Sequence, residues 1–192
     1  MTKLTLDERL NAILPRLISK EFLAGHGLGN EIAFYIFDYP PEDELRIRRY
    51  LATLMDNLPK HSNGIRFKHV DLFDFVLRYL ERRGLLDKSV ILQKEKGSEA
   101  LKKALAGPLH ESKISAELAK VVEPEQLDLV IVSGVGKAWP LLRSHTLLNN
   151  LQSRMGNTPL VLFYPGVYDS QSLRLFGKIK SNNYYRAFKL VP

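Results

Sequence analysis

Residues 27–51 read GLGNEIAFYIFDYPPEDELRIRRYL, a loop, an apolar run, a turn and a charged helical pattern in succession. Ile32 to Phe37 is an almost unbroken run of aromatic and β-branched residues, the composition of a strand covered on both faces. Asp38 ends the run. Pro40 and Pro41 stop strand pairing and preset a first helical turn, while Glu42, Asp43 and Glu44 place negative charge at the positive end of the helix dipole. Ile47, Leu51, Leu54, Met55 and Leu58 recur at helical spacing and predict its buried face. Glu42 with Arg46, and Glu44 with Arg48, stand four apart and are expected to pair on the outer face.

Upstream of this stretch, Thr5 and Glu8 form a capping box ahead of Leu6, Leu10, Ile13, Leu14, Leu17 and Ile18. The pattern predicts a helix to about Phe22, kinked or divided at Pro15. The loop AGHGLGN leads into the strand instead of following one, so its three glycines read as a turn and not as a dinucleotide fingerprint. Downstream, Ile65–Val70 predicts a second strand, and Asp71 caps a helix that points Leu72, Phe75, Val76, Tyr79 and Leu80 inward and stops at Gly84. Residues 85–122 are helical in pattern throughout, broken at Gly107 and Pro108, with Ser112 expected to cap the second helix.

Strand signals then return at Leu127–Val132 and Leu160–Tyr164, separated by the loop SGVGKAW and a helix expected from Pro140 to Gly156. A short helix is expected from Ser170 through Leu173 and Phe176, and Tyr184–Val191 predicts a last, basic edge strand. Strands separated by helices imply right-handed crossovers. The expected architecture is a single α/β domain over residues 1–192. It is three-layered and mainly parallel, Rossmann-like or P-loop-like, with about five strands, helices on both faces and a helical insert at about 85–122.

A chain of 192 residues buries enough surface to be stable without crosslinks, and it contains no cysteine, which excludes a disulfide framework and thiolate chemistry. Neither a signal-peptide pattern nor a run of roughly 18 apolar residues is present, so a soluble, cytoplasmic protein without membrane contact is expected. The formal charge of +7 is concentrated at the C-terminal end. In residues 151–192, Arg154, Arg174, Lys178, Lys180, Arg186 and Lys189 face a single acid, Asp169. Interleaved with Phe176, Tyr184, Tyr185 and Phe188, these cations form a candidate contact face for a nucleic acid or an acidic protein. A solvated helix and a lysine-protected edge strand account for the same pattern.

In such a sheet, ligands bind at the rim formed by the loops after the strands. Here the rim comprises Asp38, Asp71, Ser133 to Lys137 and Tyr164 to Tyr168. SGVGK resembles a phosphate loop but departs from G-x-x-x-x-G-K-[ST] twice: Ile131 stands where the first glycine belongs, and Ala138 replaces the magnesium-binding hydroxyl. A tight strand-to-helix turn explains Gly134 and Gly136 equally well. Asp38 and Asp71, each closing a strand, form a candidate acid/base or magnesium pair, with helix capping as the alternative. His26, His61, His69, His110 and His145 show no metal-ligand spacing, and Ser133 lacks a nucleophile elbow. No catalytic residue, metal or cofactor is therefore expected. Gly134, Gly136, Lys137 and Asp38 remain as rim candidates for a ligand.

FLAGHGLGNEIAFYIFDYPPEDELRIRRYL, LVIVSGVGKAWPLLRSHTLLNNLQ and TPLVLFYPGVYD together resemble the BrxB family of bacteriophage exclusion (BREX) defence systems. The motifs that carry the resemblance are F-D-Y-P-P at Phe37–Pro41, G-V-G-K at Gly134–Lys137, W-P-L-L-R-S-H at Trp139–His145 and F-Y-P-G at Phe163–Gly166. The resemblance implies a small non-enzymatic component of a system that blocks phage replication and methylates host DNA, associated with the phosphatase-like PglZ component. It carries over no catalytic residue. The alternative is a degenerate nucleotide-binding or nucleic-acid-associated domain using Lys137, Arg143 and the basic C-terminal residues, with DNA as an indirect or weak partner.

Overall fold

The computed structural model describes residues 4–23, 33–62, 64–180 and 187–192. The strand β1 (Phe34–Tyr39) lies inside the sheet and is buried at every position. Hydrogen bonding to both neighbours and side chains on both faces explain why six consecutive residues lack a solvent-facing position. Phe34 and Ile36 enter one core, whereas Tyr35, Phe37 and Tyr39 enter the other. Asp38 lies within the strand and does not end it.

On one side β1 pairs in parallel with β4 (Leu160–Tyr168), placing Phe34 opposite Leu160 and Asp38 opposite Tyr164. On the other it pairs in parallel with β7 (Phe188–Lys189). Beyond β4 come β3 (Leu129–Ser133) and the edge strand β2 (Phe67–Asp71), also parallel, giving the order β2-β3-β4-β1-β7. The far end of β4 continues into an antiparallel hairpin with β5 (Leu173–Leu175) and β6 (Ile179–Lys180). The parallel layer has the five strands expected from the sequence, within a seven-stranded sheet.

Helices cover both faces. One face, carrying Phe37, Ile131 and Phe163, is covered by α1 (Leu6–Leu17), α2 (Lys20–Leu23) and α3 (Glu44–His61). The other, carrying Ile36, Val132 and Leu162, is covered by α4 (Leu72–Arg82), α6 (Glu111–Val122), α7 (Val135–Ala138) and α8 (Ser144–Gln152). The insert contains α6 and α5 (Leu86–Leu105), which buries only Ser89 and Leu105 and is interrupted by Gly97 at φ 79°. None of the described helices is long and apolar enough to cross a membrane.

Local chemistry sets the helix starts. Thr5 and Glu8 form the expected capping box, and Asp71 caps α4 by accepting from the amides of Phe73 and Asp74. Pro40 precedes a 3₁₀ turn at Pro41–Asp43 that leads into α3. Four expectations are corrected. First, Leu173–Leu175 is a strand and not a helix: Leu173 and Leu175 are buried and Arg174 exposed, a period of two, and turns at Ser170 (φ 72°) and Phe176 (φ 53°) bound it. Second, His110 caps α6, its ring nitrogen accepting from Ser112 N, because the helix starts one residue before Ser112.

Third, Arg46 reaches across to Asp7 on α1 instead of pairing with Glu42, while Glu44 and Arg48 do pair, at 2.9 Å. Fourth, the region expected to be helical from Pro140 to Gly156 yields α8 only from Ser144, after the short α7. The loop AGHGLGN and the first three residues of the expected last strand, 184–186, lie outside the described residues, and the remainder supplies the edge strand β7.

The connection from β1 passes over β4 and β3 to reach the edge, whereas later connections return toward β1. The chain therefore leaves the C-terminal ends of β1 and β4 in opposite directions, the place where open α/β sheets form their crevice.

Candidate functional site

The rim at the C-terminal ends of the strands is occupied by the protein's own charged groups. Asp38 is 9% exposed. Arg9, from α1, donates to Asp38 Oδ1 at 2.7 Å and to its carbonyl at 2.8 Å, and Tyr168 N donates to Oδ2 at 3.0 Å. The guanidinium also lies 4.7 Å from the centre of the Phe37 ring. Both carboxylate oxygens of Asp38 are thus engaged within the fold.

At the end of β2, Asp71 Oδ1 accepts from Phe73 N at 3.0 Å and Asp74 N at 3.2 Å, and Lys137 Nζ lies 2.6 Å from Oδ2. Gly134 has φ 74°, and a Cβ built on it would come within 2.4 Å of Asp71 Oδ1. The glycine is demanded both by its left-handed backbone and by the carboxylate packed against it. A Cβ on Gly136 would stand 3.0 Å from the Phe176 ring and 3.1 Å from Pro165. Internal packing thus accounts for both glycines of SGVGK, and Lys137 is turned onto two carboxylates, Asp71 and Asp74.

Asp38 and Asp71 do not form a site together. β4 and β3 lie between their strands, so three interstrand steps of roughly 4.8 Å each separate the two backbones. The helix start after β1 is also unsuited to phosphate, because Glu42, Asp43 and Glu44 already load its positive end with negative charge. Tyr39 donates to Glu44 Oε2 at 2.6 Å, and burial first, then this carboxylate, raises its phenol far above the usual value.

One pairing escaped the sequence: His69 Nε2 lies 2.8 Å from Ser133 Oγ, linking β2 to β3. Burial lowers the imidazole pKa, Asp71 opposes this, and Lys137 adds to it. Only the register His69↔Ile131 brings these two residues together diagonally on one face of the sheet.

The six basic candidates are distributed differently from a single face. Arg174, Lys178 and Lys180 cluster on the β5–β6 hairpin, Arg154 follows α8 at the opposite end of the sheet, and Lys189 lies on β7. Arg186 is outside the described residues. A hollow of about 440 Å³ opens beside the hairpin at the ends of β1 and β4, with Leu4, Arg9, Asp38, Glu42, Val167 and Lys189 on its walls. A second, of about 560 Å³, lies beside β2 and α4 with mixed charge on its walls, Lys68, Arg78 and Arg82 against Asp71, Asp74 and Glu81. Among the described residues, no three acidic or histidine side chains are grouped to hold a metal ion.

The family model for the BREX protein BrxB matches residues 68–190. A BREX protein BrxB from Bacillus cereus (strain H3081.97) is 41% identical over 190 residues, covering 97% of each chain. A BREX protein BrxB from Escherichia coli O9:H4 (strain HS) is 43% identical over 187 residues, covering 97% of this chain and 92% of its own. No solved structure matches the chain. With similarity at this level running through the whole sheet, from β1 to β7, the chain belongs to the BrxB family of BREX proteins.

Proposed function

We propose that the chain acts in BREX phage defence as a non-enzymatic, protein-binding component, and that its partner is the phosphatase-like PglZ component. The place of action is the cytoplasm, in keeping with a chain that contains no cysteine. The observation that carries the reading is the internal use of the rim. Arg9 and the Tyr168 amide occupy the Asp38 carboxylate, and Asp71 and Asp74 hold Lys137. A nucleotide at the end of β3 would have to displace Lys137 from two carboxylates, and one at the end of β1 would meet a helix start carrying three. A hollow of about 440 Å³ remains at the ends of β1 and β4, but the charges that would meet a nucleotide on the rim, Asp38 and Lys137, are already paired, and the exposed surface is left as the working part.

The test is to mix the purified chain with the purified PglZ component and follow complex formation by analytical ultracentrifugation, alongside melting curves with and without magnesium nucleotides. A stable complex and unchanged melting temperatures are expected. Hydrolysis of a triphosphate or phosphoester that is lost on Lys137→Ala or Asp38→Asn overturns the non-enzymatic reading.

Exposed Arg174 and Lys178 favour a second reading, association with nucleic acid. A DNA titration at several salt concentrations separates the two, since phosphate contacts give a steep loss of affinity with salt.

A further inference from the structure

Eight large apolar side chains stand exposed among the described residues; Val167 lies on one face of the β4–β5–β6 hairpin with Leu4 beside it, while Ile179, the register partner of buried Leu175, lies on the other. Leu4 and Val167 line the same hollow, and Trp139 meets Phe176, the residue after β5, edge-on with ring centres 6.0 Å apart. The hairpin is two-sided. Leu173 and Leu175 point into the core, while Val167 and its register partner Arg174 are both exposed.

Arg174 is in turn in backbone register with Lys180 on β6. Lys178, in the connecting turn, adds a third cation. The one acid in residues 151–192, Asp169, is engaged by Gln171 N, Ser172 N and Ser172 Oγ. Across the hollow, the wall carries Glu42 at the acidic start of α3. The surface therefore combines apolar side chains and an acid-poor basic strip with a hollow whose wall carries Glu42 beside Lys189 and the paired Arg9 and Asp38.

Resting on the protein-binding reading, we infer that this hairpin and its hollow are the docking surface, and that the partner presents carboxylates together with an apolar side chain. The carboxylates meet Arg174 and Lys178. The apolar side chain enters the hollow between Leu4 and Val167. Glu42 on the wall disfavours a partner carboxylate at the α3 side of the hollow and so favours one orientation. A nucleic acid suits the hollow itself less well: Leu4 and Val167, which flank it, offer no ring on which a base stacks, and Glu42 on its wall disfavours phosphate.

The experiment measures binding to the purified phosphatase-like component by calorimetry at physiological salt. It compares wild type, Val167→Asp, the double variant Arg174→Glu/Lys178→Glu, and Ile91→Asp on the exposed face of α5 as a control. All four substituted side chains are exposed, so melting curves close to wild type are expected. Each hairpin variant is expected to weaken binding by about tenfold or more, with the control unchanged. Undiminished binding by both hairpin variants overturns the inference and leaves the protein-binding reading standing. A wild-type chain that binds no protein of the system overturns both. Loss of single-stranded DNA binding in the hairpin variants while the protein complex survives overturns the inference in favour of nucleic acid.

Discussion

Lys137 Nζ lies 2.6 Å from Asp71 Oδ2, and the same carboxylate fills the space that a side chain on Gly134 would need. A lysine, a carboxylate and a glycine that look in sequence like parts of a phosphate loop are thus one self-contained joint between the ends of β2 and β3. Asp71→Ala removes the cap of α4 and is expected to cost about 1–2 kcal/mol. Gly134→Ala suffers both the left-handed backbone, about 1–2 kcal/mol, and the collision with the carboxylate. In the Asp71→Ala background only the backbone term remains. Urea unfolding of the two single variants and the double variant should therefore show strong non-additivity. Additive costs would mean that the carboxylate does not pack on Gly134.

Arg9 and Asp38 form the other joint, tying α1 to the end of β1. Arg9→Met keeps much of the side-chain volume over Phe37 but leaves a buried carboxylate with the Tyr168 amide as its remaining partner. Breaking such a pair from one side costs about 3–5 kcal/mol when it is fully buried. Side-chain exposures of 14% and 12% put the expected loss nearer 2–3 kcal/mol, discounted for partial solvent screening. Adding Asp38→Asn to Arg9→Met removes the orphaned charge and should return part of that loss, measured as a rise in the denaturation midpoint. No recovery would argue that Arg9 matters through packing alone.

The parallel core was legible because its strands are apolar on both faces, and the start of α1 because capping boxes are local. What local pattern hides is what depends on register. Arg46 pairs with Asp7, 39 positions away, and not with the neighbouring Glu42, because α1 lies against α3 in the fold. His69 and Ser133 are 64 positions apart and meet only through the β2–β3 pairing. Leu173–Leu175 is too short for its period of two to outweigh a helical expectation, and its partner on β4 decides the matter. The candidate rim residues were found, but their mutual neutralisation was not, because nothing in the spacing of Lys137 shows that it turns toward Asp71.

Phe37 and Phe163 pack with ring centres 5.3 Å apart in the core beneath α1 and α3, and both are fully buried. Phe163→Ala is expected to destabilise the protein by about 3–5 kcal/mol, since neighbouring strands hold the cavity open. Val90, exposed on α5, provides the contrast: Val90→Ser should shift stability by no more than about 0.5 kcal/mol. Equilibrium urea unfolding of both variants checks the pair. Comparable losses would show that α5 is packed more tightly than its exposure indicates.

His69 makes stability depend on pH in a window where most carboxylates do not titrate. Burial lowers its pKa below the ordinary value, Lys137 works in the same direction, and Asp71 and Asp74 oppose them. Below a pH of about 6.5 the unfolded chain takes up a proton on this imidazole before the folded chain does. Stability contributed by the neutral ring is therefore fully present above that pH. It is lost as the pH falls toward the folded-state pKa. Melting temperatures at pH 7.5, 6.5 and 5.5 should fall toward the acid side. His69→Gln should fall less steeply over the same range, even though it starts lower for want of the original hydrogen bond to Ser133. A variant that keeps the full wild-type slope would place the titration on another group, and one with a steeper slope would mean that His69 becomes charged in the folded protein, stabilised by Asp71 and Asp74.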